Sequence, residues 1–446
     1  MHYLTISFPI VLYIFSLLKE NENKIENYLA GPCRYSKVTS PIAMVMSLMV
    51  MHIAGIHCMS HYQGHYQQIL RMVDSIFPLY GAGKLRLMLS TLSGSMLSWK
   101  LLLLQRYLVM RHCPELQAEK PSPFLSKVAP DGIVDIDGIS FVSYSNQREG
   151  SKVGHHSRRR GKPTLQGSGT FLGNIFIDFK LFFGNVNVSV HFQKAIKRIR
   201  SMGYKFSIVR ADTIYGNAKN LRFLEKLFLH YIMGINISLL AIQEGIKLFG
   251  KLAKVNSKKI VHIGKGSAIL YLGKINVAKA SEKPMYRFVV LCRRIQRKRK
   301  KGKLKVKTYY YAIVTDLPLT ARQIFRLYHQ RQKIENGFKE LRYHYAFGKL
   351  VSQKKKNSLK ANELWMISKI FAMTMAKMFA YNLLPKRYKS LRLKTLIRRL
   401  FANTIFSVQG EKVHLLTKPK RLWHFKRIIS KLGQNHFLIK PIKIMV

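Results

Sequence analysis

The 446-residue chain carries 77 Lys and Arg against 20 Asp and Glu, a formal charge of +57, with 48% apolar and 11% aromatic residues. That apolar content supports a folded core and excludes a disordered polyelectrolyte, and the length suits two or three domains. A charge this large repels itself unless a polyanion neutralises it, so nucleic acid is the first partner to expect and an anionic membrane surface the second.

Residues 1–125 read as helical, a domain for DNA binding or assembly. Two apolar stretches in it, "YLTISFPIVLYIFSLL" and "PIAMVMSLMVMHIAGIHCM", raise the question of membrane insertion. The first falls short of the roughly 20 residues a bilayer requires and the second contains two histidines, so both are expected to be buried helices and no membrane partner is expected. The four cysteines, Cys33, Cys58, Cys113 and Cys292, form no CxxC pair and read as reduced thiols of a cytosolic protein. No HExxH, Walker A or GxGxxG motif is present, which leaves zinc protease, ATPase and dinucleotide functions without support.

The prolines of "EKPSPF" (Glu119 to Phe124) mark a boundary, after which the texture alternates as in strands. "GIVDIDGISFVSY" predicts a strand, "NQREGSKVGHHSRRRGKP" a polar loop, and "GTFLGNIFIDFKLFFG" and "NVNVSVHF" two further strands. "FQKAIKRIRSMG" has helical spacing and a C-terminal glycine, "YKFSIVRAD" is a short buried strand, and "NAKNLRFLEKLFLHYIMG" an amphipathic helix. This β-β-β-α-β-α order over residues 130–234 is the first part of an α/β core. Residues 235–314 read as a β-rich insertion with the cationic tip "QRKRKKGK", residues 315–400 as the helical second part of the core, and residues 401–446 as a basic tail. One helix is expected from the N-cap Thr320 through Arg342.

Asp135 and Asp137, two apart on a strand, share a face, and Asp212 stands where a strand ends. Tyr328, Arg331, Glu335 and Arg342 are spaced to project from one side of a helix, with Ile324, Phe325 and Phe338 on the other for packing. Carboxylates gathered in this way repel unless a cation holds them, and such hard oxygen donors suit Mg²⁺ or Mn²⁺. Two such ions about 4 Å apart serve phosphodiester chemistry, with the arginines and tyrosine holding flanking phosphates. Arg158, Arg159 and Arg160, beside His155 and His156, read as a DNA-contacting loop.

The segment "TDLPLTARQIFRLYHQRQKIENGFKELR" resembles the DDE transposases of bacterial insertion sequences, in the branch marked by Tyr-x2-Arg-x3-Glu-x6-Lys, with Arg342 standing for the lysine. "ANELW" and "AYNLL" resemble the helices that follow in that family, and "RADTIYGNAKNLRFLEKL" is similar to the region of its second aspartate. "VDIDGISFVSYSNQREGSKVG" is similar to the first, with Asp137 matching and Gly138-Ile139 replacing the usual threonine. The resemblance implies an RNase H-like mixed sheet interrupted by a β-rich insertion, and metal-binding catalytic roles for Asp137, Asp212 and Glu335, with two Mg²⁺ or Mn²⁺ ions. It implies cleavage of double-stranded DNA at transposon ends and 3′-hydroxyl attack on target DNA, by a homodimer located in the cytoplasm at the nucleoid. The alternative is a decayed transposase that only binds DNA, for which the charge alone suffices.

Overall fold

The computed structural model describes residues 2–34, 40–56, 63, 94–117, 131–145, 147–154, 161–264, 266–300, 303–352, 354–389, 391–401, 406–409, 412–415 and 443–445. The chain starts with helices α1 (His2–Glu20), α2 (Glu22–Arg34), α3 (Pro41–Ile53) and α4 (Gly94–His112). Ser40 caps α3 through its side chain, and every residue of α3 is buried. A helix apolar on all sides belongs in a core or a bilayer. Here it is core, and no described helix is long and apolar enough to cross a membrane.

The central strand β1 (Ile133–Val142) pairs antiparallel with β3 (Pro163–Leu172), which also takes the short β2 (Lys152–Val153). β3 folds back into β4 (Ile175–Phe183) at Gly173, whose φ of +60° favours glycine and where a Cβ would stand 2.5 Å from the Leu116 carbonyl oxygen. Helix α5 (Phe192–Ser201) then leads to β5 (Ile208–Ala211), and α6 (Ala218–Lys226) to β6 (His230–Ile235). β5 runs parallel to β1, and β6 parallel to β5. The order β4-β3-β1-β5-β6 is the RNase H-like arrangement.

Three expectations need correction. "GTFLGNIFIDFKLFFG" is a hairpin rather than one strand, and "NVNVSVHF" contains a 3-10 turn, Val188–His191. The helix expected over Asn217 to Gly234 ends at Lys226. Phe228 takes a left-handed φ of 57° and is 94% exposed, and the apolar run after it becomes β6 because β5 and β10 offer ladders on both sides.

Residues beyond β6 form helix α7 (Leu240–Lys254) and strands β7 (Ile260–Gly264), β8 (Ser267–Asn276), β9 (Tyr286–Lys300) and β10 (Lys303–Thr315). β10 pairs antiparallel with β6, so these strands continue the core's own sheet, which has ten strands in all. Helices α8 (Ala321–His329), α9 (Gln332–His344) and α10 (Ser358–Leu383) follow. Near the C-terminus β11 (Phe406–Gln409), β12 (Lys412–Leu415) and β13 (Lys443–Met445) make a separate small sheet.

Period-two alternation divides the sheet's side chains between two cores. Ile133, Ile208, Ile232 and Ile313 pack beneath Ile324 and Leu327 of α8. Val134, Ile136, Val209 and Ala211 join the larger cluster on the other face, which runs without a break through α10 into α1–α4. Polar contacts lock that junction: His52 meets Ser368 at 2.8 Å, and the Asn382 amide donates to the Tyr13 hydroxyl and the His112 carbonyl.

Candidate active site

Asp135 and Asp137 leave β1 on the α8 side and meet different fates. The parallel register sets Asp135 beside Arg210 of β5. The guanidinium, fully buried, grips the carboxylate through both oxygens at 2.7 and 2.8 Å. Its remaining nitrogen donates to the Leu327 carbonyl (3.0 Å) and to the Gln330 side chain (3.1 Å). Asp135 is thereby committed to tying β1 and β5 to the end of α8.

At this clamp the helix that was expected to run unbroken to Arg342 is broken. In a continuous helix Arg331 N–H would bond the Leu327 carbonyl. That carbonyl accepts from Arg210, and Arg331 N–H bonds Tyr328 one residue later. The chain turns at Gln330–Arg331 and starts again as α9. Thr320 caps α8 with a reciprocal pair to Gln323, as its sequence predicts.

Asp137 points into the cleft that this turn overhangs. It accepts from its neighbour Gly138 N–H at 2.8 Å and from Arg331 at 2.9 Å. The other arm of Arg331 donates to Glu335 at 2.9 Å, and Gln332 holds the second Glu335 oxygen at 2.7 Å. Asp212, just past β5, accepts from Thr213 N–H and lies 3.4 Å from the Tyr328 hydroxyl. It does not cap the following helix, because Asn217 does. Tyr328 reaches this position because Gly234 of β6 has no side chain: a Cβ there would stand 2.8 Å from the Tyr328 hydroxyl and 2.5 Å from Thr213 Oγ1.

A cleft of about 850 Å³ has Asp137, Asp212 and Arg342 in its wall, together with Ser140, Gln166 and Ile214. Its electrostatics are those of carboxylates crowded around one cation. Burial, opposed by Arg331 and reinforced by Asp212 and Glu335, pushes Asp137 up to about 7. Burial disfavours the charge on Arg331, but Asp137, Asp212 and Glu335 more than offset it and raise its pKa. Burial and the Asp212 charge likewise keep the Tyr328 phenol protonated.

Of the residues singled out in the sequence, Asp137, Asp212, Glu335, Tyr328, Arg331 and Arg342 thus gather at one end of the sheet. Arg158, Arg159 and Arg160 lie outside the described residues. Sequence reasoning missed Arg210, Gly234, Gln332 and Tyr215, the last fully buried with its hydroxyl 3.4 Å from Ser168. Arg210 stands in "RAD", two residues before Asp212, but only the register of β1 against β5 shows what it holds.

Among the described residues no three His, Cys, Asp or Glu side chains close on one point as metal ligands do. The Arg331 guanidinium bridges Asp137 and Glu335 instead. The donor set still fits a hard divalent ion: three carboxylates, no sulfur, and like charges that a cation must hold together.

No curated protein matches the chain. The family profile described as "Transposase DDE domain" matches residues 129–375, more than half of its length and the whole of the cleft just described. The chain therefore belongs to the DDE-domain transposase family.

Proposed function

We propose that this transposase cuts the ends of an insertion sequence and joins them to target DNA by metal-assisted phosphodiester transfer, with Asp137, Asp212 and Glu335 as metal ligands. The observation that carries the reading is the gathering of these side chains, from three separate segments, around Arg331, with Asp137 and Asp212 in the wall of one cleft. Mg²⁺ or Mn²⁺ ions, when bound, supply activation of the attacking oxygen and stabilisation of the leaving one. The chain's own groups bind and orient the DNA. Arg331 exchanges its two carboxylate partners for phosphate oxygens, to which a planar guanidinium is equally suited. Arg342 holds a neighbouring phosphate from the cleft wall, and Tyr328 positions Asp212 through its hydroxyl. Two copies, one at each transposon end, form the active complex.

Asp212→Asn tests the assignment. It abolishes strand transfer of a pre-cut end while leaving affinity for duplex DNA unchanged or higher, since a negative charge facing phosphates is lost. Equal loss of binding and transfer would overturn the catalytic role.

A second reading, a chain that binds DNA without cutting it, draws on the same Arg331. Its guanidinium satisfies both Asp137 and Glu335 and shuts the site with an internal cation. Wild-type protein that binds transposon ends yet shows no cleavage with either Mg²⁺ or Mn²⁺ would establish that reading instead.

A further inference from the structure

The hairpin of β9 and β10 outruns the sheet to which it belongs. β8 stops pairing with β9 at Ser267 opposite Arg294, whereas β9 and β10 stay in register for six further pairs, from Ile295–Thr308 to Lys300–Lys303. At about 3.3 Å per residue this two-stranded ribbon extends about 20 Å past β8. Residues 296–300 and 303–307 carry seven Lys or Arg and no Asp or Glu.

The register makes that composition costly. Lys300 stands opposite Lys303, and Lys298 opposite Lys305. Like charges directly across an antiparallel pair destabilise it, and a two-stranded ribbon is marginal alone. A polyanion laid along the arm would offset that repulsion.

The root of the arm leads back to the cleft. Arg294 and Lys307 are exposed there, with the Lys307 ammonium 5.0 Å from the centre of the Tyr309 ring. Two residues further along β10 the Tyr311 hydroxyl meets His329 at 2.9 Å, next to Tyr328 and two residues from Arg331. The Tyr311–His329 contact therefore joins the root of the ribbon, with Arg294 and Lys307, to the helix end that carries Tyr328 and Arg331.

We propose that the β9–β10 ribbon is a duplex-DNA arm, lying in the major groove of the DNA that leaves the cleft. That groove admits a two-stranded β-ribbon, and the charge of the arm matches the flanking phosphates. The inference rests on the transposase reading only in taking DNA as the substrate.

Two variants test it, both in the Asp212→Asn background so that binding is read without cleavage. One combines Lys298→Gln, Lys300→Gln, Lys303→Gln and Lys305→Gln and keeps the arm's length. The other replaces residues 297–306 by Asn-Gly, a two-residue turn suited to closing the Gln296–Lys307 pair. Fluorescence anisotropy on a 40-base-pair duplex between 50 and 200 mM KCl reads the number of phosphates engaged. The slope of log K against log salt is expected to become shallower by up to about 3.6 in the four-glutamine variant, at about 0.9 for each phosphate no longer neutralised. Premethylating guanine N7 in the duplex is expected to weaken the parent and to leave the shortened variant unaffected.

Unchanged slopes in both variants overturn the arm. Equal losses on a single strand of the same length overturn the duplex assignment, and indifference of the parent to N7 methylation overturns the groove placement. A parent that binds no DNA sinks the transposase reading as well. A parent that binds, with variants that bind equally well, sinks the arm alone.

Discussion

Asp135 and Asp137 sit two residues apart on one side of β1 and each pairs with an arginine, but Arg331, the partner of Asp137, is shared with Glu335. Asp135 is neutralised by a buried arginine, and removing one member of such a pair strands the other in low dielectric. Asp135→Asn should therefore cost about 3–5 kcal/mol in urea unfolding at pH 8. Burial, opposed by Arg331 and reinforced by Asp212 and Glu335, pushes Asp137 up to about 7, above an ordinary carboxyl. A raised carboxyl pKa means that the folded state favours the protonated form. Its stabilising effect is complete below about pH 4 and is lost as pH rises to 7. Asp137→Asn should thus leave the protein as stable as the parent at pH 4 and more stable, by about 1–3 kcal/mol, at pH 8. Urea melts of both variants at the two pH values check the pair. If Asp137→Asn proved the damaging one at pH 8, the roles of the two aspartates would be reversed.

Elements position the site through breaks more than through regular structure. At the turn between α8 and α9 the Leu327 carbonyl accepts from Arg210 and from Gln330 N–H, and it is this turn that lets Arg331 reach back to Asp137 while Glu335 stays within its grasp. On the strand side, Gly234 is where β6 lets Tyr328 through to Asp212. Gly234→Ala puts a methyl group 2.8 Å from the Tyr328 hydroxyl, and the tyrosine has to move. Strand transfer is expected to fall about 10- to 100-fold, in line with the sensitivity of catalysis to displacements near 1 Å. Duplex affinity should change by less than threefold. If Gly234→Ala transferred as fast as the parent, Tyr328 would have no part in positioning Asp212.

For the whole molecule, the N-terminal helices are not a separable appendage. α3 is buried on every side, and the core cluster runs without interruption from α1–α4 through α10 to β4 and β1. Helix α10 carries Trp365, Ile370 and Phe371, all fully buried. Deleting residues 1–112 would uncover one flank of that helix and expose an apolar patch far larger than soluble monomers tolerate. The fragment beginning at residue 113 is expected to aggregate or elute in the void volume on gel filtration, whereas the full chain elutes as a discrete species. A well-behaved monomeric fragment would show that the two layers fold independently.

Composition alone determined that this chain folds and seeks a polyanion, because a formal charge of +57 beside 48% apolar residues admits little else. Local spacing put Tyr328, Arg331, Glu335 and Arg342 on one side of a single expected helix, but the chain turns at Gln330–Arg331, so Tyr328 belongs to α8, Glu335 and Arg342 to α9, and the tertiary arrangement brings them together. Alternation set Asp135 and Asp137 on the same face of β1, but spacing by itself left the two equivalent. Their separation came from Arg210, a partner 75 positions away, brought alongside by a parallel register that no local pattern encodes. The strand β6 was hidden for a similar reason: "LHYIMGI" is equally apolar as helix or strand, and only the neighbouring ladders of β5 and β10 decide between them. The residues proposed to do chemistry are legible where chemistry demands particular side chains at fixed intervals. Those that orient them act through long-range pairing and close approach, which only the tertiary structure decides.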